Sequence, residues 1–575
     1  MQISTLHNKS RQGKAKVKSG CNTCRTRKVK CDETFPVCRR CVTAGRVCGG
    51  YGIWGGGGNV SVERHSHSAL SSTKATKTNS PVPKCLSILI ATIDEKECFD
   101  WFKCRTANKL PGSFISDFWG TLLMQASISE PAVLHAVLAL GSLHRRGVML
   151  KDQTNSIPDE QMEQFTLQHY VEAISYLRPH FQAKDKATFR VVLIVCIVFI
   201  SLDFLRGYFS AGQIHLQNGL KLLEETEWLS YGKDEKTIVK PSREAIDDWI
   251  VEVFARFCLQ VELFKLPYPR PCSLFRPEEI GSASIFKSLK DAWRDMDRIM
   301  NRIFYLTEKA QDSNAAGTCP SEVVDLLEYQ QRIQKDLDHW VATYNEWWKS
   351  MKTHVSNDLE KARLLQLMYH AMATIMANTC LFPDDESVYD LHTDKFVCLL
   401  QHLLDLWIVT MDSPDNVVDP LPINLVNARS IMDIGWMAPL YYIAVKCRVH
   451  RIRLHAVRLL EVTYHREGIW DASITARVSR KVIELEEGDF YEKIETDDDF
   501  SLSSSPLPAD FEVPTLPMSR RIQDIEMQLS GEPLEKVFLW CKQDKKGMDC
   551  RVCVAEYCLS SQCWVDGEID QHWSN

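Results

Sequence analysis

The sequence has no apolar stretch long enough to cross a bilayer. Its longest apolar run, VVLIVCIVFISL, spans residues 191–202, whereas a membrane-spanning helix needs about 20 such residues. The N-terminal stretch MQISTLHNKSRQGKAKVKSG lacks the apolar core of a signal peptide. We therefore expect a soluble intracellular protein that does not enter a membrane, with residues 191–202 in a buried helix.

The sequence motifs of several enzyme classes are also missing. The chain contains no H-E-x-x-H, no G-x-S-x-G and no Walker A sequence, which serve metalloproteases, hydrolases and nucleotide-binding proteins. The segment GYGIWG at residues 50–55 spells G-x-G-x-x-G, but a dinucleotide site needs a strand before it and a helix after it. A cysteine-rich segment precedes it here, so we interpret it as linker and expect no enzyme activity.

Positive charge is concentrated at one end of the chain. Residues 1–48 carry twelve Lys and Arg against two acids, and the remainder carries 56 against 73. A basic head on an acidic body indicates a polyanionic partner for the head. Residues 1–20 are predicted to be a disordered basic arm that binds phosphates or serves nuclear import, or else a solvated tail. Its basic residues are Lys9, Arg11, Lys14, Lys16 and Lys18.

Cysteine is concentrated in the same region. Residues 21–48 hold six of the 21 cysteines, in the unit C-x2-C-x6-C written twice. Disulfides are not expected in an intracellular protein, and thiols two residues apart suit a tetrahedral zinc ion. The predicted ligands are Cys21, Cys24, Cys31, Cys38, Cys41 and Cys48.

Six thiolates can hold two tetrahedral zinc ions only if two sulfurs bridge both ions. The repeat suggests that the first cysteine of each unit does so, namely Cys21 and Cys38. One ion would then add Cys24 and Cys31, and the other would add Cys41 and Cys48. A single structural zinc or an iron–sulfur site is the alternative.

The stretch GCNTCRTRKVKCDETFPVCRRC resembles the DNA-binding domain of fungal zinc binuclear cluster transcription factors. The resemblance covers the six cysteines, the basic run after the first pair, and Pro36 before the fourth cysteine. It implies that residues 21–48 form a domain with two structural zinc ions that binds double-stranded DNA.

The basic residues between the second and third cysteines are the candidate DNA contacts. Each C-x2-C is predicted to open a short helix, here RTRKVK, whose apolar Val29 faces the metal. Most of the charges would meet phosphates. The resemblance implies that Lys28 contacts guanine in CGG triplets, the commonest kind of base-specific contact. The predicted DNA-binding residues are Lys28, Arg27, Arg25, Lys30 and Lys18.

Residues 49–84 are predicted to be a flexible linker rich in Gly, Ser and Thr. Many members of the family continue from the cluster into a dimeric coiled coil, but this segment has no apolar residues at heptad positions. A paired CGG site of fixed spacing is therefore not implied. Binding as a monomer and as a homodimer formed by the large domain both stay open.

Residues 85–575 are predicted to form a large all-α domain, which makes the fold class mostly α. Apolar residues recur at helical spacing in EPAVLHAVLALGSLHRR, QFTLQHYVEAISYLRPHF and YFSAGQIHLQNGLKLLEETEW. In the last of these, five residues are expected to face inward: Ile214, Leu216, Leu220, Leu222 and Leu223. No comparable period-2 strand series is evident, so an array of antiparallel helices is expected.

The large domain resembles the regulatory domain of fungal-specific transcription factors. The resemblance is carried by SDFWGTLLMQASISEPAVLHAVLALGSLH, HYVEAISYL and REGIWDASITARVSRKVIELEE. It implies a helical domain that modulates activation. Residues 484–517 are acidic, with interspersed apolar residues and a Ser/Pro-rich tail, which is typical of either a disordered activation segment or an acidic surface loop, with a slight preference for the loop.

Other possible ligand residues receive plainer interpretations. His135 and His144 have no cysteine or acid at ligand spacing, and we interpret them as core or surface histidines. The C-terminal cysteines include the pair Cys550 and Cys553, which could form a zinc or redox-sensitive site. Because the spacing from this pair to the remaining C-terminal cysteines matches no metal-binding pattern, buried free thiols are favoured.

Together these patterns predict a nuclear, sequence-specific transcription factor that regulates RNA polymerase II transcription with co-regulators or the transcription machinery. An activator is expected, and a repressor stays open. A pathway-specific regulator of a metabolic or secondary-metabolite gene cluster fits, as does a regulator of nutrient, stress or development genes. Two alternatives come from other classes: an enzyme with a zinc-binding accessory module, and a scaffold whose basic head binds acidic protein or RNA. RNA binding usually shows exposed aromatics, and the cluster has only Phe35.

Overall fold

The computed structural model describes residues 23–24, 27–32, 38–46 and, with short gaps, 92–569. The predicted basic arm and the predicted linker lie outside these ranges. Within the last range the gaps are 115, 150–158, 182–185, 226–245, 265–284, 317–319, 352–355, 412–429, 495, 497 and 546–547.

Helices form most of the described chain, so the predicted mostly α class is confirmed. The α-helices are α1 Arg39–Thr43, α2 Ile93–Trp101, α3 Ala107–Lys109, α4 Leu123–Ser129, α5 Pro131–Met149, α6 Asp159–Leu177, α7 Lys186–Arg206, α8 Phe209–Glu225, α9 Ile246–Phe264, α10 Leu289–Ala316, α11 Pro320–Ser350, α12 Asn357–Thr379, α13 Thr393–Met411, α14 Met437–Lys446, α15 His450–Glu461 and α16 Ala472–Glu487.

Shorter elements join or follow these helices. Two π-helical turns are Phe102–Thr106 and Phe118–Leu122, and the 3-10 helices are Arg178–Phe181, Glu386–His392, Pro508–Phe511 and Met518–Arg520. The strands are β1 Arg466–Glu467, β2 Trp470–Asp471, β3 Gln523–Ser530, β4 Lys536–Lys545, β5 Met548–Cys558 and β6 Cys563–Ile569.

The apolar helix α7 lies at the centre of the helical domain. Among the described residues it alone is long and apolar enough to cross a membrane, but 89% of its apolar window is buried inside the fold. The prediction of a buried helix is therefore confirmed. Consecutive helices pack against each other here, α5 against α6 and α7 against α8. On α8, Leu216, Leu220 and Leu223 are buried as predicted, whereas Ile214 is 53% exposed and its predicted inward position is wrong.

The C-terminal part is a sheet, which corrects the prediction of an all-α large domain. Strands β3 to β6 form a four-stranded antiparallel sheet in sequential order. Its inner face alternates as a strand should, with the residues Ile525, Met527, Val537 and Leu539 buried. These side chains join the same hydrophobic core as the helices, so the sheet covers that core rather than forming a separate unit.

A tight hairpin within the motif REGIWDASITARVSRKVIELEE contacts the start of helix α14. Strands β1 and β2 pair antiparallel around Gly468, whose φ of +58° is one that residues with a side chain rarely adopt. The carboxylate of Glu467 accepts hydrogen bonds from the backbone N–H groups of Trp436 and Met437, both at 3.0 Å. A buried carboxylate thus satisfies the first N–H groups of α14.

The acidic segment predicted at residues 484–517 packs against the helical domain. Phe500 is 7% exposed and Leu516 is 1% exposed. The guanidinium of Arg451 lies 3.0 Å from the centre of the Phe500 ring, and that of Arg458 lies 4.4 Å from it. The apolar residues that suggested an activation segment are therefore partly buried within the fold.

Candidate zinc centre and DNA-contact surface

Four of the six predicted zinc ligands lie in the described residues, and they converge. Cys24, Cys31, Cys38 and Cys41 are all buried and form a small cluster of their own with Val29 packed against it. The Sγ atom of Cys24 lies 3.6 Å from that of Cys38 and 3.8 Å from that of Cys41. Sulfurs that share a tetrahedral zinc, with Zn–S near 2.3 Å, lie about 3.8 Å apart. The thiols therefore have the spacing of a zinc site.

Three of these thiols could hold one metal ion or two adjacent ions. The Sγ atoms of Cys24, Cys38 and Cys41 all lie within 4.8 Å of one another. Cys24 and Cys41 belong to different C-x2-C-x6-C units, and Cys38 is near both, which is the position that a bridging sulfur needs. Cys21 and Cys48 lie outside the described residues.

The helix α1 places Cys38 and Cys41 on one side of a single turn. Cys38 is its N-cap, and its sulfur accepts the backbone N–H of Cys41 at 3.2 Å. The carboxylate of Asp32 accepts the backbone N–H groups of Arg39 at 3.1 Å and Arg40 at 2.6 Å. Asp32 follows the third cysteine directly, so these bonds join the first unit to the second.

The repeat that the cysteine spacing suggested is visible in the backbone. In the first unit the N–H of Val29 donates to the carbonyl of Cys24 at 3.0 Å, and in the second the N–H of Arg46 donates to the carbonyl of Cys41 at 2.9 Å. The residue before each donor has a positive φ: Lys28 at +56° and Gly45 at +61°. The same helix-ending turn therefore occurs twice, 17 residues apart.

This turn corrects the helix predicted over RTRKVK. Thr23 and Cys24 are helical, but residues 27–28 form a turn and residues 29–32 are irregular. The chain leaves the helix at Lys28 because Val29 must turn back onto the thiols. The predicted inward position of Val29 is confirmed.

The predicted DNA contacts fall into two groups. Lys28 and Lys30 are exposed and Arg27 is half-buried, so the first two present their charges to solvent beside the cysteine cluster. Lys18 and Arg25 lie outside the described residues. Arg39 and Arg40 are also exposed beside the cluster, in the positions after the fourth cysteine that Asn22 and Thr23 occupy after the first.

Removing the Asp32 carboxylate should weaken zinc-coupled folding. Two backbone N–H groups would lose their acceptor in Asp32→Ala, and an N-cap of this kind contributes about 1 kcal/mol. We expect zinc to bind about fivefold more weakly, as measured by competition with a chromogenic chelator. Asp32→Asn keeps one acceptor oxygen and should lose less. Equal zinc affinity in wild type and Asp32→Ala would show that this contact contributes nothing.

The C-terminal cysteines and the two histidines considered in the sequence lie in surroundings that differ from those of the cysteine cluster. Cys541 and Cys553 are buried on adjacent strands, as expected, while Cys558 is half-buried and Cys563 is exposed. His144 is buried and bonded to Thr106, as a core histidine should be. His135 instead lies beside His169 and Glu172, a grouping that sequence spacing did not suggest.

Two family matches agree with this geometry. Residues 19–53 match the fungal Zn(2)-Cys(6) binuclear cluster domain, and residues 103–259 match the fungal specific transcription factor domain. The second match spans α3 to α8 and most of α9. No solved structure matches the chain.

Several curated proteins are similar over different lengths of the chain. The Aspercryptin biosynthesis cluster-specific transcription regulator atnN of Emericella nidulans is 23% identical over 563 residues, covering 83% of this chain and 88% of that protein. The transcription regulator lscL of Purpureocillium lilacinum is 25% identical and covers 55% of this chain and 77% of its own length. Arginine metabolism regulation protein II of Saccharomyces cerevisiae is 49% identical, but over only 9% of this chain and 6% of its own.

The N-terminal match coincides with the convergent thiols, and the second match coincides with the helices that surround α7. The chain therefore carries a fungal Zn(2)-Cys(6) binuclear cluster domain, a zinc-binding and DNA-binding domain of fungal transcription regulators, ahead of a mostly helical fungal specific transcription factor domain.

Proposed function

We propose that this chain is a nuclear, sequence-specific regulator of RNA polymerase II transcription that reads a CGG-type triplet in the major groove. The observation that carries the base-reading part is the backbone of Lys28. A lysine occupies the left-handed position of the first repeat, where the second repeat has Gly45. A left-handed lysine costs about 1 kcal/mol, so its retention at an exposed position beside the cluster suggests a function for the side chain.

In this proposal the neighbouring charges position the domain on DNA. Lys30 and Arg27, with Arg25 and Lys18, would bind phosphates, which fix register without reading sequence. Lys28 would donate to O6 and N7 of a guanine. The carbonyl of Lys30 accepts a hydrogen bond from Arg40 at 2.7 Å, which ties this surface to α1.

We further propose that the cluster holds two structural zinc ions with Cys21 and Cys38 as bridging ligands. Support comes from the position of the Cys38 sulfur, near a thiol of each unit. All ligand positions would be filled by thiolates, which leaves none for a catalytic water. The zinc would fold the domain and orient its charges, and would take no part in a reaction.

The proposed biological role is pathway-specific control of a biosynthetic gene cluster. The similarity to the Emericella nidulans regulator extends through the helical domain, where differences between pathways would be encoded. The similarity to the arginine regulator covers little more than the cluster, so it supports DNA binding without favouring nutrient control.

The large domain is proposed to carry the contacts with co-regulators and any homodimer interface. Residues 85–575 would act as one regulatory domain, with residues 484–517 as an acidic loop of it rather than a free activation segment. The packing of Phe500 and Leu516 supports this interpretation. Their burial would have to be undone before an acidic–apolar segment could bind a partner.

A selection from random DNA tests the proposal. The full zinc-loaded chain should enrich a CGG triplet, and so should residues 1–84 alone. A second half-site that appears only with the full chain would assign dimerisation to the helical domain. Salt-sensitive binding without any enriched sequence would contradict the base-reading proposal and favour a zinc-containing scaffold.

A further inference from the structure

A second cluster of metal-ligating atoms lies far along the chain from the thiols. Nδ1 of His135 on α5 lies 2.8 Å from Nδ1 of His169 on α6 and 3.0 Å from Oε2 of Glu172. Nδ1 of His169 lies 3.7 Å from the same oxygen. Three atoms that can act as metal ligands therefore lie close together between the two helices.

No pair of ordinary two-centre hydrogen bonds satisfies both short contacts of His135 Nδ1 at once. A ring nitrogen either carries a proton or offers one lone pair, never both. If Nδ1 of His135 donates to Glu172, it has no lone pair for His169. If it accepts from His169, it has no proton for Glu172. A single cation in the middle, bound by all three atoms, satisfies the whole set.

The chemistry of the ligands fits a divalent transition metal. Two imidazoles and one carboxylate are a common ligand set for zinc, and three protein ligands leave a fourth position for water. Ligand atoms around a tetrahedral ion at about 2.1 Å lie about 3.4 Å apart, within the range of the three separations here.

The residues around the cluster hold it in place. Gln168 donates to the other oxygen of Glu172 at 3.1 Å, and Oε1 of Glu95 on α2 lies 3.9 Å from Nε2 of His169. The second oxygen of Glu95 accepts the N–H of Thr92 in the capping box of α2. Gln168 therefore orients the Glu172 carboxylate, as outer partners of metal ligands do, and Glu95 supplies negative charge beside His169.

The cluster can also be reached from solvent. Glu172 borders an open groove along one face of α6, and its side chain is 37% exposed. The inner side is closed by the ring of Phe165, whose centre lies 4.2 Å from that of His169. An ion can therefore reach the cluster from the groove, and an apolar ring lies on the inner side of the cluster.

We propose that His135, His169 and Glu172 form an additional binding site for a divalent transition-metal ion of the Zn²⁺ class. The ion would join α5 to α6 inside the segment that matches the fungal specific transcription factor domain, with Glu95 of α2, which precedes that segment, as an acidic neighbour. Its occupancy would stiffen the regulatory domain independently of the cysteine cluster.

Metal content of the full chain tests this site. The purified protein is loaded with Zn²⁺, passed through a desalting column, and its zinc per chain is measured by mass spectrometry. Glu172→Gln and His169→Gln should each hold one zinc fewer than wild type. His180→Gln is the matched control, because His180 follows α6 and lies beside Glu130 rather than in the cluster, and it should keep the wild-type content.

A Co²⁺-loaded sample separates this site from the thiolate cluster. Thiolate–cobalt charge-transfer bands should be unchanged in Glu172→Gln, while visible d–d absorption should fall by the share of one ion. Equal metal content and equal spectra in wild type and Glu172→Gln would overturn the proposal and leave a hydrogen-bonded pair of imidazoles. Since Glu172 is partly exposed, its variant decides the question even if His169→Gln fails to fold.

Discussion

Replacing Cys38 by alanine should unfold the zinc-binding unit and remove two zinc ions per chain. The Cys38 sulfur lies 3.6 Å from that of Cys24 and accepts the backbone N–H of Cys41. In the proposed bridging arrangement both ions lose a ligand at once. Zinc binding provides about 10–16 kcal/mol of apparent folding free energy in small zinc domains, far more than such a short segment gains by packing.

Cys31→Ala is the informative comparison for Cys38→Ala. Cys31 is buried in the same cluster but would contact one ion only. Zinc analysis of the full chain should therefore show a loss of two ions in Cys38→Ala and a smaller loss in Cys31→Ala. If Cys38→Ala still holds two cluster zinc ions, Cys38 is not a bridging ligand.

The helical domain should survive the loss of the cluster. The described thiols form their own small core, and that core is separate from the large one that includes α5, α7 and the sheet. Helical circular dichroism and its melting transition should therefore be nearly unchanged in Cys38→Ala. The exposed Cys563 supplies a matched control, since Cys563→Ala should keep both the zinc and the melting transition.

The cysteine spacing predicted the metal site because covalent spacing limits which sulfurs one ion can reach. Two thiols two residues apart meet one metal whatever the rest of the chain does, and the twofold repeat suggested Cys38 as a shared ligand. The backbone of Lys28 could not be predicted from its own residue type, because a lysine gives no signal of positive φ. Aligning the two units places Lys28 on Gly45 and would have indicated it.

The C-terminal sheet was missed for a different reason. The period-2 alternation of Ile525 with Met527 and of Val537 with Leu539 is short in each strand. Bulges also interrupt the register between β3 and β4 and between β4 and β5, which breaks the alternation where it would be longest.

The grouping of His135 with His169 and Glu172 depends on tertiary structure. The pair His169 and Glu172 has the i, i+3 spacing of one helix face, which the sequence could indicate. His135 lies on another helix, 34 residues earlier, and only the packing of α5 on α6 brings it near. The spacing of residues in the sequence can therefore indicate ligands that lie on one helix, but it cannot indicate a site whose ligands lie on two helices.

Lys28→Gly should separate folding from DNA reading. Glycine adopts the observed φ of +56° without strain, so zinc binding should be kept and the cluster domain stabilised by about 1 kcal/mol. The loss of a guanine contact should cost about 1–3 kcal/mol at one base pair and relax the preference there. Alanine would be a poorer choice, because it would keep the strain while removing the charge.

Two control variants separate the effect of the positive φ from the effect of the positive charge. Gly45→Ala changes no charge, and a Cβ there would meet no atom within 4 Å, so only the positive φ penalises it and the cluster domain should lose about 1 kcal/mol. Lys30→Ala removes an exposed charge and should weaken binding to all sequences alike, with a smaller salt dependence.

Binding of each variant to a CGG site and to single-base variants of it, measured by fluorescence anisotropy at several salt concentrations, distinguishes the outcomes. A loss confined to one base pair in Lys28→Gly assigns base reading to that side chain. A uniform loss like that of Lys30→Ala would make Lys28 a phosphate contact. In that case its left-handed backbone would serve only to turn Val29 onto the thiols, a task that glycine performs at lower cost, and the strain at this position would have no functional explanation.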